Sequence, residues 1–202
     1  MRLYYSAPSP YARKCRIVVR EKGLLGRMEE VLTDPYAPDT PLLACNPISQ
    51  VPALVDDDGA IFTDSPIICA YLDEIGQGPR LLPAAGPEHW SVRRLAALAD
   101  GALEMGVKLI LEQRRPEHER SPSWMARWRE GLFRALDRVE AAIPAGRNAE
   151  IGVDMAGITI ATVATWLDFR HPDLDWRAGR PAIAALQARL EARDSFQETA
   201  PR

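Results

Sequence analysis

Cysteine, histidine, long apolar runs and charge of one sign are all scarce in this sequence of 202 residues, and each scarcity excludes something. The three cysteines, Cys15, Cys45 and Cys69, are odd in number, show no Cys-x-x-Cys pair and fit no zinc spacing. That pattern argues against a disulfide framework and for reduced thiols in a cytoplasmic protein. His89, His118 and His171 are scattered without ligand spacing, so no metal site is expected. The stretch from Met155 to Leu167 is too short to span a bilayer and carries Thr159, Thr162 and Thr165, so it reads as a buried helix. The amino-terminal residues lack the apolar core of a signal peptide, and no membrane association is expected. The net charge is −3, and the first 80 residues hold 8 Lys and Arg against 11 Asp and Glu, leaving 17 of each for the rest. Neither part is basic enough to suggest a nucleic-acid partner. There is no internal repeat and no low-complexity tract.

The stretch Asn46-Pro47-Ile48-Ser49-Gln50-Val51-Pro52-Ala53-Leu54 has a more distinctive pattern. Two prolines bracket a polar turn, and an apolar run follows. Pro52 stands where the strand Ala53-Leu54-Val55 should begin, which removes a backbone donor there and leaves the Val51 groups to find other partners. On spacing alone this is either a strand with proline at its first position or a backbone edge offered to a peptide-like ligand.

Arg2 to Tyr5 reads as a strand. Ser9-Pro10 is a helix start in which serine caps and proline takes the first helical position. The helix runs to about Lys22, stops at Gly23, and carries Ala12, Cys15, Val18 and Val19 as its apolar stripe. Cys15 therefore reads as a structural thiol. Met28 to Leu32 is a second strand. Residues 34–47 are mostly loop, with room for a short helix near Leu42-Leu43-Ala44. Two further strands, 53–55 and 61–63, flank Asp56-Asp57-Asp58-Gly59, a hairpin turn rather than a calcium loop. Ser65-Pro66 repeats the cap-plus-proline pattern and opens a helix with Ile67, Ile68, Tyr71 and Leu72 inward, ending at Gly76. The segment from Gly76 to Pro87 is a linker by composition. Helices are expected from Glu88 to about Arg115, from Ser121 to about Ile143, from the Asp154 cap to Phe169, and from Pro181 to Ala192. Trp124 and Trp128, one turn apart, suit a core or an interface. The layout is a small α/β domain at 1–77, a linker at 78–87 and an all-helical domain at 88–202.

A β-α-β, β-β-α module can bring the Ser9 helix start, the Val51-Pro52 edge and the Ser65 helix start to one end of its sheet. Helix starts gather free N–H groups and favour anions. Here the sequence resembles the glutathione S-transferases. Ser9-Pro10-Tyr11-Ala12-Arg13-Lys14, Asn46-Pro47 through Pro52-Ala53-Leu54, and Asp64-Ser65-Pro66-Ile67-Ile68 follow that family's order and spacing. Ala99-Asp100-Gly101, Glu112-Gln113 with Arg115-Pro116, and Leu167-Asp168-Phe169-Arg170 resemble a bacterial, serine-type subgroup of YibF type.

The resemblance implies a thioredoxin-like amino-terminal domain, an all-α carboxy-terminal domain, glutathione as co-substrate without a metal, and a homodimer. Ser9 would donate to the glutathione sulfur and stabilise its thiolate. Val51 would pair its backbone with the cysteinyl part, as an added strand would, and the Val51–Pro52 bond would be cis. Ser65 would receive the γ-glutamyl carboxylate, with Asp64 beside it, and Asp100 of the partner subunit would reach the ammonium group. Gln50 stands where many relatives place lysine for the glycyl carboxylate, so it can hydrogen-bond but brings no charge. Asp154-Met155-Ala156-Gly157 departs from the family's capping box, since Gly157 stands where the acid belongs. Tyr11, Met105, Lys108, Leu109 and Trp166 would wall a pocket between the domains for a small electrophile. The implied activity is glutathione transfer; the alternative is a non-catalytic binding or regulatory protein on the same fold. Thiol–disulfide exchange is disfavoured by serine at position 9.

Overall fold

The structure, a computed structural model, describes residues 1–143 and 153–202. It divides into two compact units, Met1–Leu82 with Ala192–Arg202, and Pro83–Glu191.

The first unit is thioredoxin-like. Its elements are β1 (Arg2–Tyr5), α1 (Pro10–Glu21), β2 (Glu29–Leu32), β3 (Ala53–Val55), β4 (Ile61–Thr63) and α2 (Ser65–Ile75), closed by a short α7 (Asp194–Gln197) from the end of the chain. The sheet order is β2-β1-β3-β4. β1 and β2 run parallel, while β1–β3 and β3–β4 are antiparallel. The Ser9 side chain caps α1 by accepting from the Ala12 N–H, and Pro10 opens the helix. Ala12, Cys15, Val18 and Val19 are fully buried, so the apolar stripe faces the core as its spacing predicts. Gly23 ends α1 at φ +64, where only glycine is unstrained. The Gly23 N–H bonds the Arg20 carbonyl and the Leu24 N–H the Val19 carbonyl, the paired pattern of a Schellman stop. The acidic run at 56–59 forms a turn in which Asp56 Oδ1 accepts from the Asp58 and Ala60 N–H groups.

Two expectations at α2 are corrected. Asp64, not Ser65, occupies the cap position, at φ 69. Ile67, expected inward, is 50% exposed. Besides Asp73, the buried positions are Ser65, Ile68, Cys69 and Leu72, an i, i+3, i+4, i+7 stripe that turns Ile67 outward and carries Ser65 into the interior. Tyr71 is half-buried and stacks on Phe62 of β4 with ring centroids 4.1 Å apart.

The last residues of the chain were expected in the helical domain, but 192–202 belong to the first unit. Phe196 is fully buried. The Arg13 guanidinium donates to its carbonyl at 3.1 Å. Glu21 receives two bonds from Arg193, and Arg20 pairs with Glu198 at 2.8 Å. Burial opposes charge on Glu21, but bonds from Arg193 and Ser195 outweigh it and hold its carboxyl below the usual value of 4.5. A lowered carboxylate contributes stability above its unfolded pKa and loses it as pH falls through the folded value. Wild type should therefore show a higher urea midpoint than Arg193→Ala at neutral pH, and the gap should shrink below pH 4.5. A gap constant with pH would mean that Arg193 acts through packing alone.

The second unit is all helical: α3 (Gly86–Gln113), α4 (Pro122–Ala142), α5 (Met155–Arg170) and α6 (Pro181–Glu191). α3 begins earlier than its pattern suggested because Pro87 is tolerated in the first turn. α5 is buried on every side from Ala156 to Ala164, and it packs against both α3 and α6. Gly106 of α3 lets it lie close to α5, since a Cβ there would come within 2.9 Å of the Trp166 ring. The Asp154 carboxylate caps α5 by accepting from the Gly157 N–H at 2.7 Å, a one-way cap without the reciprocal partner. Trp124 and Trp128 stack with centroids 5.8 Å apart on α4, and Trp124 is 53% exposed, so it is not a core residue.

Candidate functional site

Sheet register brings the three singled-out segments to one end of the first unit. Tyr4 near the end of β1 pairs with Ala53 at the start of β3, and Ala53 pairs with Thr63 at the end of β4. The chain therefore leaves β1 toward Ser9, enters β3 from Val51-Pro52 and leaves β4 into Asp64-Ser65, all at the same sheet end. This juxtaposition follows from one antiparallel hairpin and the β1–β3 pairing.

Ser9 is half-buried, and its Oγ accepts from the Ala12 N–H at 3.2 Å. That cap uses a lone pair, so the hydroxyl proton is left to donate elsewhere. Ser9 thus stands at the positive end of α1 with a donor to offer.

The Val51–Pro52 bond is cis. Among the described residues, neither the Val51 N–H nor its carbonyl has a hydrogen-bond partner. The turn before it is braced by Asn46, which is 3% exposed. Asn46 Nδ2 donates to the Gln50 carbonyl at 2.7 Å, and Asn46 Oδ1 accepts from the Ile48 N–H at 3.2 Å. Ser49, at φ 50, donates from its hydroxyl to the Pro35 carbonyl at 2.8 Å. Sequence reasoning gave Asn46 no role of its own. The signal was present, because asparagine before a turn bonds its own backbone two residues on.

Ser65 is 1% exposed, and its Oγ has no hydrogen-bond partner. A buried hydroxyl without a partner is costly, by about 1–3 kcal/mol, unless something else satisfies it. Asp64 makes no side-chain bond to the first turn of α2, so the N–H groups there are not capped by it. A buried donor and uncapped N–H groups at a helix start suit a carboxylate. Gln50 is exposed in the turn that precedes Val51.

The other residues singled out from the sequence are distributed differently. Tyr11 is half-buried in the first unit, with Lys14 Nζ 5.9 Å from its ring centroid. Met105, Lys108, Leu109 and Trp166 lie in the second unit. Lys108 pairs with Glu104 at 2.6 Å, one turn earlier on α3. Trp166 is 4% exposed and lies edge-on to His171 at 5.6 Å between centroids. His171 is pushed down by burial, although its ring bonds the Gly106 carbonyl. Asp100 is half-buried on α3. Tyr4 is buried in the small core with Leu42, Cys45 and Ala53.

The chain is similar to known proteins along nearly its whole length. The glutathione S-transferase N-terminal domain profile matches residues 8–75, and the glutathione S-transferase C-terminal domain profile matches residues 122–186. The GST-like protein YibF of Escherichia coli K12 is 35% identical over 201 residues, covering 100% of this chain and 98% of its own. A stringent starvation protein A homolog of Pasteurella multocida is 29% identical, covering 98% of this chain and 89% of its own. Among solved structures, a glutathione transferase family member from Pseudomonas fluorescens Pf-5 with bound glutathione superposes at TM-score 0.91, with 36% identity over 100% of this chain and 98% of its own. A glutathione S-transferase from Methylobacillus flagellatus KT, also with glutathione bound, gives TM-score 0.90 at 31% identity over 100% and 99% of the two chains. In fold, in both domain profiles and in full-length sequence, this chain belongs to the glutathione S-transferase family.

Proposed function

We propose that this protein is a glutathione transferase that joins the glutathione thiolate to a small electrophile. The observation that carries the reading is the buried, unpartnered Ser65 hydroxyl at the start of α2. It shares one sheet end with the unpaired Val51 backbone groups and the Ser9 donor. The reading is supported by similar structures that hold glutathione.

In this scheme each residue has one task. Val51 pairs its N–H and carbonyl with the cysteinyl unit, extending the sheet edge by a strand of ligand. The Ser65 hydroxyl and the first N–H groups of α2 take the γ-glutamyl carboxylate. Asp64 faces the ammonium, and Gln50 offers a neutral amide to the glycyl carboxylate. Ser9 donates its hydroxyl proton to the sulfur. A thiol with a pKa of ~8.5 is mostly protonated at neutral pH; a donor plus a helix start favours the thiolate. The thiolate attacks the electrophilic carbon, and the leaving group departs with the displaced electron pair. On the same reading the protein acts in the cytoplasm as a homodimer; sedimentation of the purified chain would check the dimer.

Calorimetric titration with glutathione tests the site. Wild type should bind, and Ser65→Ala should bind roughly tenfold or more weakly, since a hydrogen bond to a charged group is worth about 1.5–3 kcal/mol. No heat at millimolar glutathione would overturn the reading. A second reading, a binding protein without turnover, is favoured by the neutral Gln50; it predicts glutathione binding with no conjugation of any aryl halide.

A further inference from the structure

We propose that Cys15 and Cys69 are a redox-sensitive dithiol that closes to an intramolecular disulfide under hydrogen peroxide. The two residues lie 54 positions apart in sequence, on α1 and α2, yet their sulfurs are 3.7 Å apart. Both are buried, at 0% and 1% exposure, where the two helices pack against each other. Nothing in the glutathione reading uses either thiol, and the inference stands whether or not Ser9 and Ser65 bind glutathione.

Three features favour a disulfide. First, the thiols are in van der Waals contact. Reaching a sulfur–sulfur bond of ~2.05 Å requires an approach of only roughly 1.7 Å. Second, the S···S contact is itself within weak hydrogen-bond range, with either thiol able to donate. Third, the remaining cysteine, Cys45, sits elsewhere in the core with Tyr4, Leu42 and Ala53, where its thiol donates to the Leu42 carbonyl. The pair is thus set apart by geometry from the cysteine that lacks a resolving partner.

The oxidation balances in two steps. One thiol attacks peroxide; the O–O bond breaks, an S–O bond forms, and the products are a sulfenic acid and water. The neighbouring thiol then attacks the sulfenic sulfur; the S–S bond forms, the S–O bond breaks, and the hydroxyl leaves as water with the second thiol's proton. The dithiol is oxidised by two electrons and peroxide is reduced to water. Because the second step is intramolecular and the partner is already in contact, it outruns further oxidation to sulfinic acid. Burial sets the rate: peroxide is close to water in size and reaches the pair during local opening of the α1–α2 contact. The oxidised protein carries a covalent tie between the helices that begin at Pro10 and Ser65.

The test is mass spectrometry of the full chain after millimolar peroxide, with alkylation in denaturant. The expected result is one alkylated cysteine in place of three, a linked peptide containing Cys15 and Cys69, and loss of that peptide on treatment with dithiothreitol. Cys45→Ser should still form the link, and Cys69→Ala should not. Cys45→Ser and the linked peptide decide the matter if Cys69→Ala fails to fold. Three alkylatable thiols after treatment, or sulfinic acid at Cys15 or Cys69 without a linked peptide, would overturn the proposal.

Discussion

Replacing Ser9 with alanine should lower kcat/KM for conjugation of an aryl halide about 100-fold, the scale seen when a single donor to a developing or stored anion is removed. One oxygen has two functions here. Its lone pair caps α1 through the Ala12 N–H at 3.2 Å, which leaves its proton to donate elsewhere, in the proposed scheme to the sulfur. Alanine removes both, so about 1 kcal/mol of stability should go with the activity. Ser9→Thr keeps the hydroxyl and the cap and should retain most of the rate. The pH profile separates the two losses. With the donor gone, the bound thiol returns toward ~8.5, so the rate of Ser9→Ala should recover as pH rises, whereas a folding defect would not. Equal rates in wild type and Ser9→Ala across pH would show that the hydroxyl does not act on the sulfur.

Asp73→Ala should be among the most destabilising single substitutions in the first unit, by about 3–5 kcal/mol. Asp73 and Lys22 form a buried ion pair at 3.0 Å, each side chain 1% exposed. The pair also organises the backbone that leaves α2. Lys22 Nζ donates to the Pro79 carbonyl at 2.9 Å, and Asp73 accepts the Leu81 and Leu82 N–H groups at 2.9 and 3.0 Å. Removing the carboxylate strands a buried ammonium and two backbone donors together. The double variant Lys22→Met with Asp73→Ala should then be more stable than Asp73→Ala alone, because the uncompensated charge is gone. Urea unfolding of wild type and the two variants checks this, and a double variant no more stable than Asp73→Ala would mean that the stranded ammonium is not what makes that substitution costly. Gly76 belongs to the same arrangement, since a Cβ there would meet the Lys22 Cβ at 2.5 Å.

Much of the secondary structure was legible because its signals are local. Ser9-Pro10 and Gly23 bracket α1, and the capping bond and the Schellman stop are made within the helix's own ends. The hairpin turn at 56–59 and the Asp154 cap are equally local. The reading of Ser65 shows the limit. The Ser-Pro pattern suggested a cap and an inward face of Ile67, Ile68, Tyr71 and Leu72, whereas in the fold Ser65 lies on the buried stripe with Ile68, Cys69 and Leu72. Packing a full apolar stripe outweighs one capping bond. A serine meant to cap became a buried hydroxyl without a partner, which is a better feature for a carboxylate than the cap would have been.

Residue order and spacing alone specify that short strands and helices alternate before a linker and that helices follow. They also place two helix starts and a proline-bounded edge so that one fold can gather them. Only the tertiary structure decided which distant groups meet. Cys15 found Cys69, Lys22 found Asp73, and 192–202 returned to α1 through Arg13, Arg20 and Glu21. The Val51 groups and the Ser65 hydroxyl were left without partners among the described residues. The physical reason is that caps, turns and periodicity depend on neighbours within a turn or two of chain. Pairing across fifty or more residues depends on how buried faces close on one another, and residue spacing does not encode that closure.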